Sequence, residues 1–258
     1  MHPHSHSGAT RGATSIQRCL GRRGPKRQEG ATMVEFAIVS PFAILLVLGI
    51  IQLGLIFSAK EVVNEAAFLA ARAGAVANAQ VSEMRGTMIR ALVPFYQDTT
   101  DTQDLRRLTV AMGKAMFENT TCIPVIRCTL KVEVLNPTPA AFDDFGITGR
   151  VPANQIYIPN DNLEYRPHNQ IGSKSGLSIQ DANALKIKVT YGYEIKVPLM
   201  KSVIRAVMCG FDTGIDAFGR GNAPVTGGLD CAEFYSQGRI PIVSYATVQL
   251  QSPAYPPN

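Results

Sequence analysis

Histidine is nearly missing from this chain: of its four histidines, only His168 lies beyond residue 30. Without a second histidine, Ser/His/Asp and Cys/His arrangements have little to draw on. His2, His4 and His6 alternate near the N-terminus and read as a solvated tail rather than a metal site. Phosphate-binding P-loops, GxGxxG and HExxH are also missing. No CxxC knuckle occurs, which argues against structural zinc. The neighbouring carboxylates Asp143 and Asp144 are expected in a loop and pointing apart, whereas a catalytic pair must converge across a cleft. These gaps predict a protein that is not an enzyme and needs no cofactor and no metal.

Charge is missing in two places. From Phe36 to Ala59, 24 consecutive residues carry none. As a helix rising 1.5 Å per residue, that run reaches about 36 Å, enough to cross a hydrocarbon core of about 30 Å. Net charge is the second absence. The chain is +5 overall, yet Arg11, Arg18, Arg22, Arg23, Lys26 and Arg27 stand against Glu29 alone before residue 31, so the 19 basic and 19 acidic residues that follow cancel. The asymmetry predicts a cytoplasmic N-terminus and an extracytoplasmic remainder beyond Lys60. It also removes the reason for a nucleic-acid reading, since no basic patch with interleaved aromatics lies in the rest.

The leader is not an ordinary secretory signal. Residues 1–30 are polar and rich in Gly, Ser and Arg, the apolar run is too long for a signal h-region, and no A-x-A site stands directly behind it. The junction Gly30-Ala31-Thr32-Met33-Val34-Glu35-Phe36 resembles the class III signal of type IV pilins. That resemblance implies a membrane prepilin peptidase cutting after Gly30, where glycine offers an unhindered, extended backbone. Glu35 then becomes the fifth residue of the mature chain. Its carboxylate would pair with the new ammonium of Ala31 on a neighbouring subunit and set the axial register. The plainer alternative is a glutamate that flanks a membrane helix near the interface.

The segment from Gly30 to Gly54 is similar to the TadE-like family, the minor pseudopilins of the tight adherence (Flp, type IVc) pilus system. The G-x-x-x-[VL]-E-F start, Pro41, the pair Gly49 and Gly54, and the continuation Ala66-Ala-Phe-Leu-Ala-Ala-Arg-Ala-Gly74 carry the likeness. It is specific over roughly residues 25–80. The resemblance implies a bacterial inner-membrane precursor with a periplasmic body, a minor subunit needed for pilus assembly and adherence. Its implied partners are the membrane, the prepilin peptidase, other pilin and pseudopilin subunits and the Tad inner-membrane platform. A permanently anchored periplasmic adaptor or adhesin, never cut at Gly30, is the alternative. Pro41 reads equally as a site of unwinding during assembly or as a tolerated kink. Gly49 and Gly54 lack the four-residue period of a GxxxG face and are assigned to close helix packing.

Four cysteines, Cys122, Cys128, Cys209 and Cys231, fall on the side expected to be oxidising. Three pairings are open, and the local pairs Cys122–Cys128 and Cys209–Cys231 are favoured because each closes a short excursion. The remaining pattern predicts an α+β protein: a transmembrane helix continuing as a helical spine, packed on a small antiparallel sheet as in pilins. The rod is expected from about Ala31 to Ala73, where alanine-rich sequence has no breaker until Gly74. Val81, Met84, Met88, Ile89 and Leu92 mark a helix stopped by Pro94, and Leu105, Leu108, Met112, Ala115 and Met116 another, both stripes facing the core. Alternation then predicts strands over Ile126–Val134, Leu185–Val197 and Ile242–Leu250, with a short helix over Leu199–Val207. Residues 136–184 and 210–237 are expected to be long loops. The domain plan is a removed leader (1–30), a helix and its extension (31–79), and a body (80–258).

Overall fold

The computed structural model describes residues 29–98, 100, 102–120, 129–149, 155–210 and 234–256. The chain divides into two units, Met1–Leu45 and Leu46–Asn258. One helix, α1 (Glu29–Val76), runs through the boundary, and within it Met33–Val76 is long and apolar enough to cross a membrane.

The second unit is built around the alanines that α1 carries. Ala59, Val63, Ala66, Ala67, Ala70, Ala71 and Ala75 are all buried, at spacings of one, three and four residues that keep them on one side of a 3.6-residue helix. Small side chains let the backbone of α1 approach a sheet closely. That sheet has strand order β1-β4-β5, with β1 at Leu130–Asn136, β4 at Ala184–Glu194 and β5 at Arg239–Gln249, every neighbour antiparallel. The central strand β4 shows the predicted period of two: Leu185, Ile187, Val189 and Tyr191 are buried, while Lys186 is exposed and Lys188 reaches Glu133 of β1 at 3.2 Å. One face therefore packs on α1 and the other meets solvent. Strand β4 ends at Glu194 rather than Val197, and β1 starts at Leu130, with Ile126–Cys128 outside the described residues.

Polar ties fasten the spine to the last strand and to the tail behind it. Lys60 donates to the Val243 carbonyl and Ser244 Oγ meets Asn64 Oδ1 at 2.9 Å. At the far end, the backbone N–H groups of Gln251 and Ser252 donate to the Ala75 carbonyl. The helix continues through Gly74 to Val76, and the turn is made by Asn78 and Ala79, both left-handed at φ 58° and 59°. Asn78 Nδ2 donates to the Pro253 carbonyl (2.8 Å), so the C-terminal tail holds this turn.

Helix α2 (Val81–Ala91) buries Met84, Met88 and Ile89, with Leu92 just past its end, as its stripe predicts. Helix α3 (Asp104–Thr120) follows its predicted stripe only in part, through Ala115 and the half-buried Met112. It buries Ala111, Ala115 and Asn119, while Leu105, Leu108 and Met116 are exposed. Two overlapping helical stripes exist in that segment, and close packing selects the one with small residues. Asn119 is satisfied there: its Nδ2 donates to Tyr96 and to the Ala115 carbonyl, and its Oδ1 accepts from Thr129.

Residues 136–184 are more structured than a long loop. They hold α4 (Pro139–Phe145), the two-stranded ribbon of β2 (Ile147–Thr148) and β3 (Ile156–Tyr157), and α5 (Ile179–Ala182). Thr138 caps α4 and Ser178 caps α5, each accepting from the N–H three residues on. Of the second expected loop, Gly210, which ends a helix, and 234–237 are described, the latter closed by the short helical turn Tyr235–Gln237.

Candidate anchor and assembly segment

The N-terminal part of α1 is bare. Met33, Val34, Phe36, Ile38, Val39 and Phe42 are each more than half exposed, as are Leu46, Val47 and Ile50 further along. So long an apolar surface left open to solvent marks an interaction surface. Glu35 is also exposed, next to Phe36, at the start of the uncharged run. A carboxylate there costs up to about 3 kcal/mol if drawn to the centre of a bilayer, so it favours an interface or a cationic partner.

Gly30 and Ala31 stand in the first turn of α1. The first four N–H groups of a helix have no partner within it, so opening this turn sacrifices few hydrogen bonds. Pro41 lies inside the helix, which runs on unbroken in its assigned span. Its ring removes the hydrogen bond that the carbonyl of Ala37 would accept. Gly49 and Gly54 hold no close contact within the chain: a Cβ at either would meet nothing within 4 Å. The glycine of α1 that does hold one is Gly74, where a Cβ would come within 2.6 Å of Met84 Cγ and Sδ and 3.0 Å of Leu185. Sequence reasoning took Gly74 for a helix breaker; only the position of Met84 reveals its role. Cys122, Cys128 and Cys231 lie outside the described residues, as does the side chain of Cys209, whose backbone is in the last turn of α6 (Met200–Gly210).

Coverage of α1 by the body begins at Leu48, well inside the uncharged run. Leu48 packs against a second small cluster made by Ile195, Val197 and Met200, with Ile204 and Ile240 beside them. One turn on, Gln52 is 1% exposed, and its Oε1 accepts the Val197 N–H at 3.1 Å. Gln52 is the one amide in the run, and its position reads as an interruption of apolar sequence until Val197 is seen opposite it. The opposite side of the same helix, with Ile50, Leu53 and Phe57, remains open.

Two other features gather polar groups. A cleft of about 490 Å³ is lined by Phe95, Tyr96, Lys114, Glu118, Tyr191 and Arg239 among others. Its polar groups hold one another: Arg239 pairs with Glu118 at 2.8 Å and donates to the Gly192 carbonyl, and the Tyr96 and Tyr191 hydroxyls meet at 3.2 Å. Burial, and then the neighbouring Tyr96, push the Tyr191 phenol well above its ordinary range. The second feature is the carboxylate pair. Asp143 and Asp144 sit in the last turn of α4, not in a loop, and both grip the loop around Lys174. Asp143 pairs with Lys174 Nζ at 3.1 Å, while Asp144 accepts from the N–H groups of Lys174 (3.0 Å) and Ser175 (2.7 Å). The Ser175 N–H holds the Asp144 carboxyl below its usual range. His168 is exposed on the surface.

A helix whose leading part is bare and apolar, and whose later part is the spine of a body with a three-stranded antiparallel sheet, defines an α+β protein with a helix compatible with a membrane anchor. Residues 30–72 match the model of the TadE-like protein family, and the matched segment holds the junction, the bare helix and most of the spine. A TadE-like segment points to a Tad pilus-associated protein. No curated protein and no solved structure matches the chain.

Proposed function

We propose that this chain is a minor pilin-like subunit (a pseudopilin) of a bacterial Tad/Flp type IVc pilus, cut by a prepilin peptidase after Gly30 and needed for pilus assembly and surface adherence. The observation that carries the reading is the bare apolar helix directly behind Gly30 and Glu35, matched to the TadE-like family over residues 30–72. In this reading α1 anchors the precursor in the inner membrane with residues 1–30 in the cytoplasm and the body in the periplasm. After cutting, the same helix packs against the helices of other pilin and pseudopilin subunits on the Tad platform. Glu35 pairs there with the Ala31 ammonium of a neighbour. The reaction belongs to the peptidase, so the chain itself needs no catalytic group.

The mass of the protein extracted from membranes tests this directly. Loss of residues 1–30, with Ala31 as the new N-terminus, is the expected result. An intact leader in cells with active peptidase overturns it in favour of an uncut, anchored adaptor or adhesin, a reading that the helical backbone at Gly30 favours. Replacing Glu35 with Gln leaves cutting intact and impairs piliation; normal piliation in that variant removes the register role.

A further inference from the structure

Helix α6 touches the body through Met200 and Ile204 and through the Lys201 stem, which lies over Gly238. Met200 is buried and Ile204 half-buried, both against the cluster that receives Leu48, whereas residues 201–203 and 205–207 are all exposed. Its exposed apolar groups in the helix, Val203 and Val207, lie one turn apart on one side, and Leu199 (63% exposed), left-handed at φ 66°, stands just before the first turn. Lys201 and Arg205 lie on the opposite side, and no acidic residue occurs between 199 and 210. The nearby Glu194 is held by Lys196 at 2.8 Å. Among the described residues, this amphipathic helix therefore has an exposed apolar edge and an exposed basic one, with Glu194 as the acidic group that feels Lys201.

Its position gives the edge an occupant. The uncharged run of 24 residues exceeds a hydrocarbon core by only about 6 Å. Leu48 lies 11 residues before the end of that run at Ala59, about 17 Å along the helix. The residues of α6 that touch the body thus pack beside α1 at a level where the other side of α1, with Ile50, Ile51 and Leu53, is open and apolar. The apolar stripe of α6 continues that open surface. We propose that α6 is an interfacial helix: Leu199, Val203 and Val207 enter the acyl region of the leaflet on the body's side, and Lys201 and Arg205 reach anionic lipid headgroups. Long basic side chains can extend from such a depth to the interface. The Gln52 amide is spared contact with lipid because Val197 covers it, which fits a body seated into the leaflet rather than standing above it.

The inference rests on the membrane reading of α1 and is tested beside it. The chain has no tryptophan, so a single introduced tryptophan reports one position. Full-length protein carrying Val203→Trp, Ile51→Trp or Tyr245→Trp is reconstituted into vesicles of phosphatidylcholine and phosphatidylglycerol in equal parts, with brominated acyl chains as quencher. The expected result is quenching at positions 51 and 203 and none at 245, which lies on the solvated face of the sheet. Quenching at 51 without quenching at 203 overturns the inference while the anchor stands, and leaves the apolar stripe to a protein partner. No quenching at 51 overturns the anchor and the inference with it. Adding Lys201→Gln and Arg205→Gln to Val203→Trp should reduce the gain in quenching on adding phosphatidylglycerol, by up to about fivefold for each charge removed. An unchanged gain overturns the headgroup contact.

Discussion

At the scale of single residues, the tightest spot in the body is Gly74. A methyl group there would fall within 2.6 Å of Met84, whose side chain is fully buried and already packed. Overpacking of this kind costs about 1–3 kcal/mol, while alanine's better helix propensity returns about 1 kcal/mol. Gly74→Ala is therefore expected to destabilise the body by up to about 2 kcal/mol in urea unfolding, whereas Gly49→Ala, with open space around it, should be neutral or stabilising. Asp144 makes a second residue-level prediction. Its folded carboxyl titrates below the ordinary value of 3.8 because the Ser175 N–H stabilises the charged form. A depressed folded pKa means the contribution is present above about pH 4 and is lost as pH falls through the lowered value. Hydrogen exchange at the Lys174 and Ser175 amides should thus stay slow from neutral pH down to about 4 relative to intrinsic rates, and quicken below it. Asp144→Asn should quicken it above about pH 4, where the wild-type carboxylate is charged, and change it little below; equal protection above about pH 4 in that variant would show that the loop holds itself.

At the scale of elements, β4 is the strand on which the others depend, pairing with β1 on one side and β5 on the other. Ile187 is fully buried between α1 and its strand neighbours, and truncation to alanine is expected to cost about 2–5 kcal/mol. Tyr245, across the ladder on β5 and 60% exposed, should tolerate alanine within about 0.5 kcal/mol. Thermal unfolding of the two variants separates these values, and a similar loss at both would contradict the one-sided sheet. Such strands were readable in advance because alternation of Leu185, Ile187 and Val189 with lysines admits one burial pattern. Helix α3 was readable only in part. Its larger residues, Leu105, Leu108 and Met116, outweigh Ala111 and Ala115 in any hydrophobic count, yet only the alanines are small enough for a close crossing. The polar groups that fix Asn119 come from Tyr96, Ala115 and Thr129, a set no local pattern displays. The same holds for α4 and α5, whose caps, Thr138 and Ser178, are visible in sequence but whose four to seven residues are too few for periodicity.

At the scale of the whole molecule, the uncharged run serves two purposes that composition merges into one. Residues 36–59 look uniform in sequence, but in the structure burial on one side begins at Leu48 and is complete at Gln52 and Ala59. The junction at Gly30 and Glu35 was legible because it is a linear signal; the start of the body was not, because it depends on Val197 and Met200 from the far end of the chain. This division predicts a sharp asymmetry in truncation. A chain beginning at Leu46 retains Leu48, Gln52 and every buried residue of the core, and in detergent it should unfold at the same temperature as the full chain. A chain beginning at Val62 loses the acceptor for the Val197 N–H, the Leu48 contact with the α6 cluster, and the Lys60 bond to Val243. An orphaned buried N–H alone costs about 1–3 kcal/mol, so the second truncation should lower the midpoint by several degrees. Equal midpoints for the two would mean that the lower cluster adds nothing to the body. A fall already at the first truncation would mean that residues before Leu46 contribute to its core.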